Sequence, residues 1–251
     1  MKLANKVALI TGAGSGQGAA AAKLFAAEGA LVTAVDINEA AVNETAKQIN
    51  AQGGIAFAMR IDVASEQDAE KMVAATIDRY GQLDILYNNA GIEGEPNYLS
   101  NFSTAGFDRV IGVNLRSVFL SMKFALPQMI KQRAGSVINI ASVGGVNAQK
   151  GGAAYCTAKA GVIMITKVAA LEYARYNIRV NCICPGFIQT PMMERIAAMS
   201  GIKDPKVLER GNAIGRAGTP EEIAKVGLFL AGDDSSFASG ASFLIDGGLM
   251  L

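Results

Sequence analysis

Lys6-Val7-Ala8-Leu9-Ile10-Thr11-Gly12-Ala13-Gly14-Ser15-Gly16-Gln17-Gly18 is an apolar run followed by a glycine-dense turn, and it leads into the alanine-rich stretch Ala19 to Glu28, closed by Gly29. The pattern reads as strand, glycine turn, helix. Such a junction points backbone N–H groups and the positive end of a helix dipole at one spot, which suits a phosphate. A G-x-G-x-x-G frame begun at Gly12 fails because position 17 is Gln; what stands here is Thr-Gly-x-x-x-Gly-x-Gly. Placed between a strand and a helix, the loop predicts dinucleotide binding.

The next apolar run, Ala30 to Val35, ends in Asp36, at the separation from Gly12 where a carboxylate meets an adenosine ribose. Asp36, with Ile37 beside it, would accept hydrogen bonds from the ribose hydroxyls and repel a 2′-phosphate. No Lys or Arg stands in the glycine loop or directly after Asp36 to offset that repulsion. The expected cofactor is therefore NAD, with NADH preferred over NADPH. A helix cap before Ile37-Asn38-Glu39 is a compatible second use of the same carboxylate.

Outward from this unit the alternation continues. Glu39 to Ala51 reads as a helix, Ile55 to Ile61 as a strand ending at Asp62-Val63, and Ser65 to Tyr80 as a helix with a capping signal at Ser65-Glu66-Gln67-Asp68. Leu83 to Tyr87 is a strand running into Asn88-Asn89-Ala90-Gly91, a small polar end suited to flat contact with a cofactor. The βαβαβ order predicts a doubly wound parallel sheet with helices on both faces and ligands at the carboxyl ends of the strands. Ile92 to Ser103 reads as a loop whose Glu93 and Glu95 are solvated surface, with contact of one of them to substrate as the second reading, and Thr104 to Arg133 as one long helix kinked at Pro127. Asn114 falls on its buried face, as structural glue or as a relay. A strand then presents Ser142, a glycine-rich connection runs from Val143 to Gly152, a helix reaches about Tyr176, and Asn177 to Cys184 is another buried strand. It ends at Pro185-Gly186-Phe187-Ile188-Gln189-Thr190-Pro191. Residues 190–212, with Met192, Met193 and Met199, show weak periodicity and are assigned to packing or to a segment that covers substrate. A last helix starts at Thr219-Pro220-Glu221-Glu222 and a last strand spans Ser242 to Ile245. With no repeat or linker, residues 1–251 form one domain.

Composition narrows the chemistry. The 251 residues carry a formal charge of +1 with no basic run, which argues against nucleic-acid partners. No apolar run looks long enough to span a bilayer and the first residues lack a signal-peptide core, so a cytoplasmic protein without a membrane partner is expected. Three cysteines, Cys156, Cys182 and Cys184, form no disulfide framework. The absence of histidine removes Ser-His-Asp and Cys-His catalysis and leaves Cys182 and Cys184 without the usual partners for zinc, so no metal is expected.

The remaining candidate is Tyr155-Cys156-Thr157-Ala158-Lys159. Residues four apart share a helix face, so the phenol and the ammonium project together. A phenol that titrates near 10 needs a shift of roughly 3 units to serve as an acid-base near neutral pH. One positive charge about 4 Å away, at an effective dielectric of about 20, supplies about 4 kcal/mol, which is the size required. A tyrosine packed inward with a lysine reaching to water would give the same spacing.

Taken together, Thr11-Gly12-x-x-x-Gly16-x-Gly18, Asp62, Asn88-Asn89-Ala90-Gly91, Asn114, Ser142, Tyr155-x-x-x-Lys159, Pro185-Gly186 and Thr190 resemble the short-chain dehydrogenase/reductase family over essentially the whole chain. The resemblance implies a single-domain Rossmann-like fold with a seven-stranded parallel sheet, assembled as a homotetramer or dimer; the apolar ending Leu249-Met250-Leu251 also suggests a subunit contact. It implies that Tyr155 is the general acid-base, that Ser142 holds the substrate oxygen, that Lys159 lowers the Tyr155 pKa and binds the nicotinamide ribose, and that Asn114 positions a relaying water. It also implies Ser15, Gln17 and Gly18 near the pyrophosphate, Asp62 and Val63 at the adenine, Asn89, Ala90 and Gly91 along the ribose, and Ile188 and Thr190 at the carboxamide. Gly12, Gly16, Pro185 and Gly186 complete the cofactor set. The implied activity is an NAD-dependent alcohol dehydrogenase or ketoreductase acting on a small, mostly apolar ketone or secondary alcohol. The alternatives are a 3-oxoacyl-carrier-protein reductase, which usually goes with NADPH and basic docking residues, and a non-redox or NAD-sensing member of the same fold.

Overall fold

The computed structural model describes residues 1–251, apart from the side chains of Pro205 and Arg210. Seven strands form one parallel sheet: β1 (Val7–Thr11), β2 (Leu31–Asp36), β3 (Ile55–Arg60), β4 (Ile85–Asn88), β5 (Gly135–Ile140), β6 (Ile178–Pro185) and β7 (Ser242–Ile245). They lie in the order β3-β2-β1-β4-β5-β6-β7. The order reverses between β1 and β4, so their carboxyl ends open a crevice at the sheet's midline. β1 and β4 are buried throughout, and β6 at every position but Arg179, as expected of strands covered on both faces.

The helices are α1 (Gly16–Ala27), α2 (Glu39–Ala51), α3 (Glu66–Tyr80), α4 (Thr104–Ile111), α5 (Ser117–Gln132), α6 (Ala153–Tyr173), α7 (Pro191–Met199) and α8 (Pro220–Ala231). One apolar core joins α1, α2 and α8 to the sheet, around Phe25, Val42, Ile138 and Leu230. The other, on the opposite face, joins α3, α5 and α6 around Met72, Leu86, Leu120 and Val162. Ser65 caps α3 as its sequence suggests, accepting from the Asp68 N–H at 3.2 Å, but the Asp68 carboxylate turns away and accepts from the Asp62 N–H at 2.9 Å.

Three expectations change. The long helix from Thr104 to Arg133 is interrupted by a wide π-type turn at Gly112–Arg116, and Pro127 sits within α5. The stretch after Thr190 is helical, because Pro191 stands at the first turn, where a missing N–H costs nothing, and Met193 and Ala197 turn inward. The helical stretches Thr104–Gln132 and Ala153–Tyr176 are also long and apolar enough, by length and composition alone, to cross a membrane. Both pack against strands of the sheet, and of the 18-residue apolar window in each, 50% of the first and 39% of the second is buried in the fold.

Candidate active site

The crevice at the strand ends is a cavity of about 960 Å³. One end is built by the first strand-turn-helix unit. Gly12 (φ +66°) and Gly16 (φ +51°) take left-handed conformations that permit the turn. α2, α3, α4 and α8 are each capped by an Asn, Ser or Thr side chain. α1, like α5, α6 and α7, is not: Ser15 makes no capping hydrogen bond, and the first turn of α1 carries no acid. Its leading N–H groups therefore face the cavity without a side-chain acceptor. Gln17 also lines the cavity, and its buried Oε1 has no partner among the described residues. The glycine turn and the leading N–H groups of α1 fit the phosphates of a dinucleotide, while the Gln17 Oε1, an acceptor, calls for a donor instead.

Asp36 closes this end. Its carboxylate accepts from the Gly14 N–H and the Asn38 N–H, both at 2.9 Å, which fixes its orientation on the cavity wall and leaves acceptor capacity on each oxygen. Ile37, Asp62 and Val63 line the same region. The β4 end is laced to the glycine loop. Thr11 Oγ1 accepts from the N–H groups of Asn89 (3.0 Å) and Ala90 (3.1 Å), while Asn89 Nδ2 donates to the carbonyls of Thr11 (3.0 Å) and Gly12 (3.2 Å). Asn89 thus spends its amide on structure while presenting its surface, with Ala90 and Gly91, to the cavity.

The other end is assembled by close backbone contact. A Cβ on Gly145 would stand 2.6 Å from the carbonyl carbon of Lys159, and one on Gly144 would touch the Tyr155 ring at 3.4 Å. The missing side chains let the turn after β5 press directly onto α6, which brings Ser142 beside Tyr155. Ser142 Oγ accepts from the Gly144 N–H at 3.1 Å. Lys159, only 4% exposed, donates from Nζ to the Ile140 carbonyl at 2.7 Å, with Nζ 5.8 Å from the Tyr155 ring centre. A Cβ on Gly91 would press on the Asn114 Oδ1 at 3.3 Å and meet Nζ in ordinary contact at 3.5 Å.

The titration behaviour differs from the simple charge argument. Burial pushes the Tyr155 phenol above its ordinary value; a Ser142 hydrogen bond pulls it down, and the Cys156 and Glu93 charges add to the rise. Burial also brings Lys159 down to about 8. The ammonium is directed at the Ile140 carbonyl, so its field on the phenol is weaker than a bare charge at about 4 Å would exert, and desolvation dominates.

Of the residues expected here, Gly12, Ser15, Gly16, Gln17, Asp36, Ile37, Asp62, Val63, Asn89, Ala90, Gly91, Ser142, Tyr155, Lys159, Pro185, Gly186, Ile188 and Thr190 all line the cavity. Two do not. Gly18 is buried behind the loop, where a Cβ would fall 2.1 Å from the Gly12 carbonyl oxygen, so it serves the packing of α1 on the turn. Asn114 is fully buried behind the wall: it accepts from the Ile92 N–H (2.8 Å) and donates to the Ile92 carbonyl (2.7 Å), which pins the loop after β4 to the π-type turn. Glu93 differs from its sequence reading as solvated surface. Its side chain is 14% exposed, lines the cavity and pairs with Arg195 of α7.

A doubly wound parallel sheet with a cavity of this make-up at its switch point defines a Rossmann-like nucleotide-binding protein. Residues 12–250 match the family model described as "Enoyl-(Acyl carrier protein) reductase". The chain is 41% identical to cyclohexanol dehydrogenase of Acinetobacter sp. (strain SE19), over 98% of this chain and 95% of that protein. It is likewise 41% identical to a 3-oxoacyl-[acyl-carrier-protein] reductase of Thermotoga maritima, over the full length of both. The crystal structure of levodione reductase superposes with a TM-score of 0.95 at 39% identity, covering 98% of each chain. The chain belongs to the short-chain dehydrogenase/reductase family of oxidoreductases, whose members use nicotinamide cofactors.

Proposed function

We propose that this protein transfers a hydride between NAD(H) and a small, mostly apolar ketone or secondary alcohol, through Ser142, Tyr155 and Lys159 with Asn114 behind them. The observation that carries this reading is that these three side chains share one cavity with the uncapped start of α1 and with Asp36. Glycine loop, Gln17 and Asp36 would hold the dinucleotide, with Asp62 and Val63 at the adenine, Lys159 at the second ribose, and Ile188 and Thr190 at the carboxamide. A bound nicotinamide supplies the hydride chemistry. Tyr155, whose phenol is protonated at neutral pH, gives its proton to the carbonyl oxygen during reduction and takes the alcohol proton during oxidation. Ser142 holds that same oxygen. The Lys159 ammonium stabilises the phenolate left behind. Asn114 acts as a positioning residue by fixing the Ile92 loop against the site.

Asp36 favours NADH, because a 2′-phosphate would meet its carboxylate. Residues 190–212 cover the substrate end of a single catalytic domain, with Met192, Met193 and Met199 on the cavity wall. We place the protein in the cytoplasm as a homotetramer, with the exposed apolar side chains Phe119, Met164, Val168 and Leu171 of α5 and α6 as one subunit contact. A second reading, 3-oxoacyl-carrier-protein reductase, is favoured by the Thermotoga maritima relative. A panel of uncharged ketones and acyl thioesters, run with NADH and NADPH and with the alcohols in reverse, separates the two. Turnover of neutral ketones with NADH supports the first reading; turnover of thioesters alone, with NADPH, replaces it by the second.

A further inference from the structure

Glu93 and Arg195 stand 102 positions apart, one on the loop after β4 and the other on α7, and meet through two contacts: Nε to Oε1 at 2.5 Å and Nη2 to Oε2 at 3.2 Å. Both line the cavity that holds Tyr155. An exposed ion pair contributes little, but here the carboxylate is 14% exposed while the guanidinium is 53% exposed, so the acid is the inner member and the base the outer. Two parallel contacts also fix the guanidinium plane. The Glu93 charge reaches Tyr155, whose phenol it helps push up. Met192, Met193, Ile196 and Phe102 line the same cavity, together with the charged side chains of Glu95, Asp108, Arg109 and Lys150. The Lys150 ammonium lies over the Tyr98 ring, 5.3 Å from its centre.

We propose that the Glu93–Arg195 pair is a specificity clasp, in which Glu93 turns a negative charge toward the reacting oxygen and withholds Arg195 from substrate anions, so that ketones bearing a carboxylate are rejected in favour of neutral ones. The proposal rests on the oxidoreductase reading above. It identifies which residues discriminate, and it makes the two members of the pair opposite in effect. Removing the Glu93 charge frees the Arg195 cation for a substrate carboxylate. Removing Arg195 leaves the Glu93 charge uncompensated inside the cavity.

The test uses a matched pair of substrates, 4-oxopentanoate and its methyl ester, with the ratio of kcat/KM for acid over ester as the readout. Glu93→Gln is expected to raise this ratio by roughly tenfold and Arg195→Gln to lower it by a similar factor, the size of one partly screened charge contact. The charge-swapped double variant Glu93→Arg/Arg195→Glu keeps the pair, puts the cation inside, and should raise the ratio; it decides the matter if a single variant loses all turnover. If the clasp only holds α7 in place, both single variants change the two substrates by equal factors, and the proposal is overturned with the oxidoreductase reading intact. Should the unaltered protein reduce neither this ester nor any other neutral ketone with either coenzyme, the neutral-ketone reading itself fails and the clasp with it.

Discussion

Replacing Lys159 by Met should abolish activity and yet stabilise the protein at neutral pH. The side chain is 4% exposed, and burial lowers its pKa from 10.5 to about 8. At about 1.4 kcal/mol per unit, keeping that ammonium charged in the fold costs about 3 kcal/mol relative to the unfolded chain. The sign follows from linkage. Below pH 8 both states hold the proton and the full cost is present; between 8 and 10.5 the unfolded chain holds it while the folded protein releases it, so stability rises with pH. Methionine fills a similar volume and carries no charge, but leaves the Ile140 carbonyl without its 2.7 Å donor, a loss of about 1–2 kcal/mol. Lys159→Met should therefore be about 1–2 kcal/mol more stable than the unaltered protein at pH 7. The advantage should shrink as pH rises, by about 1.6 kcal/mol between pH 8 and 9.5. Urea unfolding of both proteins across pH 7 to 9.5, extrapolated to water, measures the difference directly. Parallel stability profiles would refute the claim that a buried, charge-penalised lysine sits at this site.

Asn114→Ala removes both partners of the buried Ile92 backbone groups and should cost about 2–4 kcal/mol in urea unfolding, with the loop after β4 becoming open to proteolysis. Gly18→Ala forces a Cβ to 2.1 Å from the Gly12 carbonyl oxygen and should destabilise by about 1–3 kcal/mol while also weakening NADH binding, as followed by its fluorescence. Asp36→Ala should narrow the preference for NADH over NADPH, read as the ratio of kcat/KM for the two coenzymes; equal use of both by the unaltered protein would refute the ribose assignment.

What could be read from the sequence was set by how local the determinants are. The strand-turn-helix at Val7 to Ala27, the helix Glu39–Ala51 and the cap at Ser65 depend on residues within one turn of each other, and they stand close to where their patterns put them. The π-type turn at Gly112–Arg116 was not legible, because it is fixed by bonds from Asn114 to the backbone of Ile92, 22 residues earlier. Gly144 and Gly145 read only as a flexible connection; their role is the close approach to α6, which no local pattern states. Glu93 read as surface because its partner Arg195 lies 102 positions away, on another element. The Tyr155–Lys159 spacing gave the right helix face but the wrong direction for the phenol, since spacing says nothing about burial.

Proposed as the proton donor, Tyr155 is tested by steady-state turnover of a neutral ketone by Tyr155→Phe, taken together with NADH affinity. Turnover should fall by at least about a thousandfold while NADH affinity stays within a few fold, because the lost hydroxyl carries the acid-base step and the ring still fills its place against Gly144. Turnover within a few fold of the unaltered protein would contradict that role.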